Sequence, residues 1–135
     1  MTRDGNRDNK RVLEHAYAEA SRGNGAPLLE SLADDVSWTI IGTTVMSGIY
    51  RGKAEVRERL FGGLRTRLAG TVVFTPERFI AEGDLVVMQA RGQATSKSGK
   101  PYNNTYCIVA RFAGDKIIEM TDYVDTELIT SALET

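Results

Sequence analysis

From Thr71 onward the chain loses every helical period and offers four strand-like segments instead, at residues 71–81, 85–95, 102–112 and 116–125. Their connections, at 82–84, 96–101 and 113–115, are made of turn residues such as Gly83, Gly99 and Gly114. Consecutive strands joined this tightly pair antiparallel, because a parallel pair needs a crossover of about a dozen residues or more. The second half therefore predicts an antiparallel meander, with Pro76 marking a bulge or an edge in its first strand.

The first half has to cover one face of that sheet. Residues 8–22 repeat Val12, Leu13, Ala16, Tyr17 and Ala20 at helical steps, and Gly23, Asn24 and Gly25 stop the run. Pro27 suits the first turn of a short second helix whose buried side is Leu28, Leu29 and Leu32. Val36, Trp38 and Ile40 alternate with Ser37 and Thr39 as a half-buried strand, and residues 42–52 read as a loose hairpin. Val56, Leu60, Leu64 and Leu68 then line up on a third helix, with Gly62 and Gly63 inside it. Each glycine costs about 1 kcal/mol there relative to alanine, so either the helix breaks or something packs very close. The expectation is a single α+β domain over residues 1–135, three helices against one face of the sheet.

Composition narrows the function classes. With 41% hydrophobic and 26% charged residues the chain can build a core, and its formal charge of −1 gives no drive toward nucleic acid or an anionic membrane. Cys107 is the only cysteine, which rules out an intrachain disulfide and a cysteine-rich metal site. No apolar run reaches the ~18 residues of a membrane span, and residues 1–10 lack a signal-like core. The reading is a cytoplasmic protein with no metal and no cofactor.

Four strings, Ala33-Asp34-Asp35-Val36-Ser37-Trp38, Gly48-Ile49-Tyr50-Arg51-Gly52-Lys53, Gly99-Lys100-Pro101-Tyr102-Asn103-Asn104 and Tyr123-Val124-Asp125-Thr126, taken with their order and spacing, resemble the SnoaL-like, ketosteroid-isomerase-related group. That group belongs to the superfamily of nuclear transport factor 2, ketosteroid isomerase and scytalone dehydratase. The resemblance spans roughly residues 8 to 130. It implies a cone-shaped fold, three N-terminal helices on a strongly curved, mainly antiparallel sheet, a deep pocket between the layers, and a homodimer through the sheet. It implies no single reaction, because one fold hosts many. Similarity to limonene epoxide hydrolase places Asp122 at one acid position of that enzyme's triad. Gln89 and Arg91 stand at the other two positions in place of Arg and Asp, so the triad is incomplete and epoxide hydrolysis is disfavoured.

Asp122 is the leading candidate for catalysis. It is the only charge on the strand face Ile118, Met120, Asp122, Val124, and a carboxylate on an apolar face has its pKa raised toward the range useful for acid or base work. Arg91 is the second. Pattern alone buries Val86, Met88, Ala90, Gly92 and Ala94 and turns Gln89 and Arg91 to water. The family alignment turns Gln89 and Arg91 into the pocket, with Arg91 pairing Asp122 or holding a substrate oxygen, and frees the small-residue face for a dimer contact. Both placements stay open at this level. Tyr17, Trp38, Gln89, Asn104 and Tyr106 are the candidate ligand-binding residues, and Tyr102 shares the face of Asn104 and Tyr106. His15 falls on the solvent side of its helix, and Cys107 opposite Tyr106 reads as packing. The implied partner is a small apolar or oxygenated organic molecule. The implied activity is acid–base chemistry of the isomerase, cyclase or dehydratase type. The alternative is a non-catalytic ligand-binding or dimeric interaction module.

Overall fold

A computed structural model describes residues 5 to 134. Helix α1 (Gly5–Ala20) and the short α2 (Ala26–Ser31) lead into strands β1 (Leu32–Ile40) and β2 (Gly48–Arg51). The third helix follows in three stretches, Lys53–Glu55, Val56–Phe61 and Gly62–Arg67. Strands β3 (Val73–Glu82), β4 (Leu85–Gln93), β5 (Thr105–Ala113) and β6 (Lys116–Val124) form the meander, and a C-terminal helix spans Thr126–Leu133. One six-stranded sheet results, in the order β2-β1-β6-β5-β4-β3, antiparallel throughout except where β1 lies parallel to β6.

Register shifts interrupt the ladder at Pro76/Arg78, at Arg111/Phe112 and between Leu32 and Ser37. Each bulge bends its strand and increases the local twist, which curls the sheet around the helices. The core is the layer between them, built from Leu13, Ala16 and Tyr17 of α1, Val36 and Trp38 of β1, and Met88, Ile108 and Met120 of the central strands. Among the described residues no helix is long and apolar enough to cross a membrane.

The third helix continues through Gly62 and Gly63 instead of breaking there. A Cβ at Gly63 would stand 3.4 Å from the Met46 methyl, so glycine allows that side chain to lie against the helix. Its central stretch, Val56–Phe61, is π-helical. Leu60 and Phe61 both lie on the inner side with Leu64 and Leu68.

Two sequence expectations are corrected. The face Val86, Met88, Ala90, Gly92 is buried and faces α1, which packs on β3 and β4, so it is not free for a dimer contact. Gln89 and Arg91 occupy the opposite, outward face. The physical reason is the two-residue period of a strand: a face bearing a guanidinium cannot be sealed under helices without a counter-charge, whereas a small apolar face can. The C-terminal helix was not anticipated, although Asp125 caps it by accepting from the Leu128 amide at 3.2 Å, and Leu128, Ile129, Ala132 and Leu133 recur at helical spacing.

Candidate functional site

A cavity of about 500 Å³ opens between the helices and the inner sheet face. Its wall is mostly apolar, with Leu28, Ile40, Met46, Leu60, Phe61, Leu64, Leu68 and Ile129 among its lining. Gly23, Gly25, Arg65, Gly70 and Thr71 also line it and are exposed, so they mark the mouth. Asp122, Trp38, Tyr17, Tyr102 and Tyr106 are the buried polar-tipped members.

The parallel pairing of β1 with β6 sets Ile40 beside Asp122 and Trp38 beside Met120, all on the inner face. The Trp38 indole Nε1 thereby reaches Asp122 Oδ1 and donates a hydrogen bond of 3.1 Å. The Trp38 ring is itself held edge-on against Phe61, with centroids 5.7 Å apart. Asp122 is 8% exposed and, among the described residues, has no cation within ion-pairing distance. Burial pushes its carboxyl up to about 7, against a smaller downward pull from the indole bond. Oδ2 has no hydrogen-bond partner among the described residues and is not sealed off, which leaves it facing the cavity.

The tyrosines form the adjoining wall. The rings of Tyr17 and Phe74 meet edge to face at 4.9 Å, and those of Phe74 and Tyr106 at 5.0 Å. Burial, reinforced by the Asp122 charge, holds the Tyr17 hydroxyl well above its ordinary pKa; burial followed by Tyr102 and Asp122 does the same for Tyr106. Both phenols therefore stay protonated and remain donors. The ring of Tyr106 reaches its place only because residue 92 lacks a side chain. A Cβ there would stand 2.6 Å from the ring and 3.1 Å from Val72.

Tyr17, Trp38, Tyr106 and Asp122 are thus brought together, and three other sequence candidates are not. Arg91 is exposed and its Nε donates to Glu77 at 2.7 Å across the β3–β4 pair. Gln89 lies on the same outward face and accepts from Arg78. Their placement in the pocket is corrected: the family alignment carried over the positions but not the face. Replacing Arg91 with alanine should therefore leave ligand affinity and melting temperature unchanged, since exposed pairs contribute little; calorimetry and a thermal melt would check both.

Asn104 is 1% exposed but has no bonding capacity left for a ligand. Its Nδ2 donates to the Tyr102 hydroxyl at 3.1 Å and to the Asp125 carbonyl at 3.2 Å. Its Oδ1 accepts from the Thr105 amide at 2.7 Å and the Asp125 amide at 2.9 Å. It is a clamp behind the wall, tying the start of β5 to the end of β6 and orienting Tyr102. His15 is exposed on α1, and Cys107 is half-buried on the outward face beside Gln89 and Tyr123.

Sequence reasoning missed Phe61, Phe74, Ile129 and Arg65 as lining residues. Ile129 was readable from the capped C-terminal helix. Phe61 was readable too, since it stands three and seven residues before Leu64 and Leu68 on one helical face.

A profile of the SnoaL-like domain matches residues 13–120. An uncharacterized protein of Mycobacterium tuberculosis is 26% identical over 123 residues, which cover 91% of each chain. Among solved structures, an NTF2-like protein of unknown function from Burkholderia pseudomallei superposes with a TM-score of 0.85 at 22% identity, covering 95% of this chain and 98% of that one. TerC, co-crystallized with polyporic acid, superposes with a TM-score of 0.82 at 24% identity over 95% and 99% of the two chains. The structural likenesses speak for the fold alone. The profile reaches from the first helix to the strand that carries Asp122 and takes in most of the cavity wall, and by that match the chain belongs to the SnoaL-like domain family.

Proposed function

We propose that this protein binds a small, largely apolar oxygenated molecule and moves a proton on it, with Asp122 as the general base and acid. The observation that supports this most is the Asp122 carboxylate itself. It is buried in the wall of an apolar cavity, held through Oδ1 by the Trp38 indole, and has its pKa near neutrality. A group poised near the working pH can take and return a proton with comparable ease. Oδ2 would accept a proton from carbon next to a carbonyl. Tyr17 and Tyr106 would donate to the oxygen on which the negative charge develops, an interaction strengthened by exclusion of water. Asp122 would then return the proton at a second position, giving isomerase, cyclase or dehydratase chemistry according to the substrate.

A thermal-shift and native mass spectrometry screen with ketones, lactones and polyketide-like aromatics would find ligands. Proton NMR in deuterium oxide would then follow exchange of their α-hydrogens. Exchange that disappears in Asp122→Asn is the expected result. Binding without exchange would leave a carrier or sensor and sink the enzymatic reading.

A homodimer would instead form through the uncovered face of the sheet. There Ile80, Val87, Val109, Thr121, Thr39 and Ile49 stand in one register row across all six strands. Ile80 and Ile49 at its ends are 49% and 48% exposed. On the neighbouring strand positions this face carries both signs of charge, Arg91 with Glu77 and Arg111 with Asp84 and Glu119. A twofold copy would align these rows, four of whose six members are aliphatic, and set these charges against each other, which supports a dimer through this face. We expect sedimentation to give twice the 14.8 kDa chain mass, and Val109→Asp to return the protein to a single chain. A monomeric wild type at micromolar concentration would refute it.

A further inference from the structure

Among the described residues that line the cavity, only two carry a formal charge. Asp122 is buried within, whereas Arg65 is exposed among the mouth residues Gly23, Gly25, Gly70 and Thr71. Arg65 differs in its surroundings from Arg22 and from the other arginines of its own helix. Arg22 pairs with Glu19, Arg57 with Glu58 and Arg59 with Glu55. Arg67 folds back to the Gly63 carbonyl at 3.3 Å and so satisfies the end of the third helix. Arg65 has no acidic partner and no hydrogen-bond acceptor among the described residues; its Nη2 lies along the helix, 3.8 Å from where a Cβ on Gly62 would stand.

We propose that the cavity is built for an amphipathic anion, its negative group held by Arg65 at the mouth and its apolar body reaching in toward Asp122. This rests on the reading of the cavity as a small-molecule site and specifies the class of molecule. A guanidinium offers a planar pair of donors that matches a carboxylate or sulfonate, and it is weakly hydrated, so it gives up water readily. An apolar wall beside it concentrates its field on the opening. The polarity of binding follows from the second charge. An anionic group pushed inward would meet the Asp122 carboxylate with no cation to compensate, so the charged end stays outside and the uncharged, reacting end goes in. A cationic ligand would meet the opposite arrangement and be repelled at the entrance.

Two fluorescent probes separate this proposal from the reading beneath it. One is 1-anilinonaphthalene-8-sulfonate; the other, N-phenyl-1-naphthylamine, is the same body without the sulfonate. Both would be titrated into wild type, Arg65→Gln, Arg65→Lys and Gly25→Trp. Gly25 has open space around it and an ordinary φ of −83°, so tryptophan there obstructs the mouth without straining the fold. The uncharged probe should bind wild type and weaken in Gly25→Trp, which locates it in the cavity. The sulfonate should bind about 3- to 10-fold more tightly than its uncharged parent, the range for a charge-assisted contact at a partly screened site. That preference should vanish in Arg65→Gln with the parent's affinity unchanged, survive largely in Arg65→Lys, and shrink as salt is raised. No preference in wild type, or a preference that survives Arg65→Gln, overturns the proposal and leaves the cavity standing. If the uncharged probe does not bind, or binds Gly25→Trp equally well, the cavity reading fails and takes the proposal with it.

Discussion

Replacing Asp122 with asparagine should lower turnover by roughly 10²–10⁴-fold and at the same time make the protein more stable above neutral pH. The first figure is the usual worth of a positioned acid or base. The second follows from linkage. The folded carboxyl has its pKa raised to about 7, while in the unfolded chain it returns to about 4. Below pH 4 both states hold the proton and the group contributes nothing to the difference. Between pH 4 and 7 the unfolded chain releases its proton and the native state does not, so stability falls as pH rises. Above pH 7 both are ionised and the loss, of order 4 kcal/mol, is complete. Asparagine never ionises and still presents a carbonyl oxygen to the Trp38 indole. Thermal melts of the two proteins should nearly coincide at pH 4 and diverge with increasing pH, the variant melting higher. Activity of the wild type should rise through pH 7 as the base ionises. A variant that melts lower than wild type at pH 8 would mean that the carboxylate is compensated in a way the geometry does not contain, and would remove Asp122 as the base. A buried pair of Asp122 with Arg91 predicts just such a loss, but Arg91 is bound to Glu77 on the other side of the sheet.

Asn104→Ala should cost about 2–4 kcal/mol, because it leaves the Thr105 and Asp125 amides and the Asp125 carbonyl without their partner in a buried setting. In a chain of this size that lowers the melting temperature by about 5–15 °C. Ligand affinity should fall as well, since the Tyr102 hydroxyl loses the donor that orients it. Asn104→Asp separates the two roles of the side chain. It keeps both acceptors and loses both donors, and at neutral pH it turns a carboxylate toward the Asp125 carbonyl. Its melting temperature should therefore lie below wild type at pH 7 and recover as the pH is lowered. If Asn104→Ala melts like wild type while binding weakens, Asn104 touches ligand directly and the clamp assignment is wrong.

Local periodicity alone made several features of this chain legible. The alternation in residues 85–95 already separated a small apolar face from one carrying Gln89 and Arg91, and the structure buries the apolar one. Asp122 stood out as the lone charge on an apolar face, and it lines the cavity as such. The four strings pointed to the SnoaL-like group, which the profile match bears out. These features were legible because backbone geometry fixes the period and hydration fixes which face turns inward. Which inward residues meet is set by long-range packing instead. Trp38 and Asp122 touch because β1 lies parallel to β6 across 84 residues of chain. Phe61 meets the Trp38 ring only across the cavity, and Asn104 is unavailable to ligand because Asp125, Thr105 and Tyr102 take its amide. Arg65 reaches the mouth of the same cavity from a helix far from Asp122 in the sequence. Such pairings depend on long-range packing, in which strand order, a bulge or a single missing Cβ at Gly92 decides what lies within 3 Å of what, and no local pattern encodes that distance.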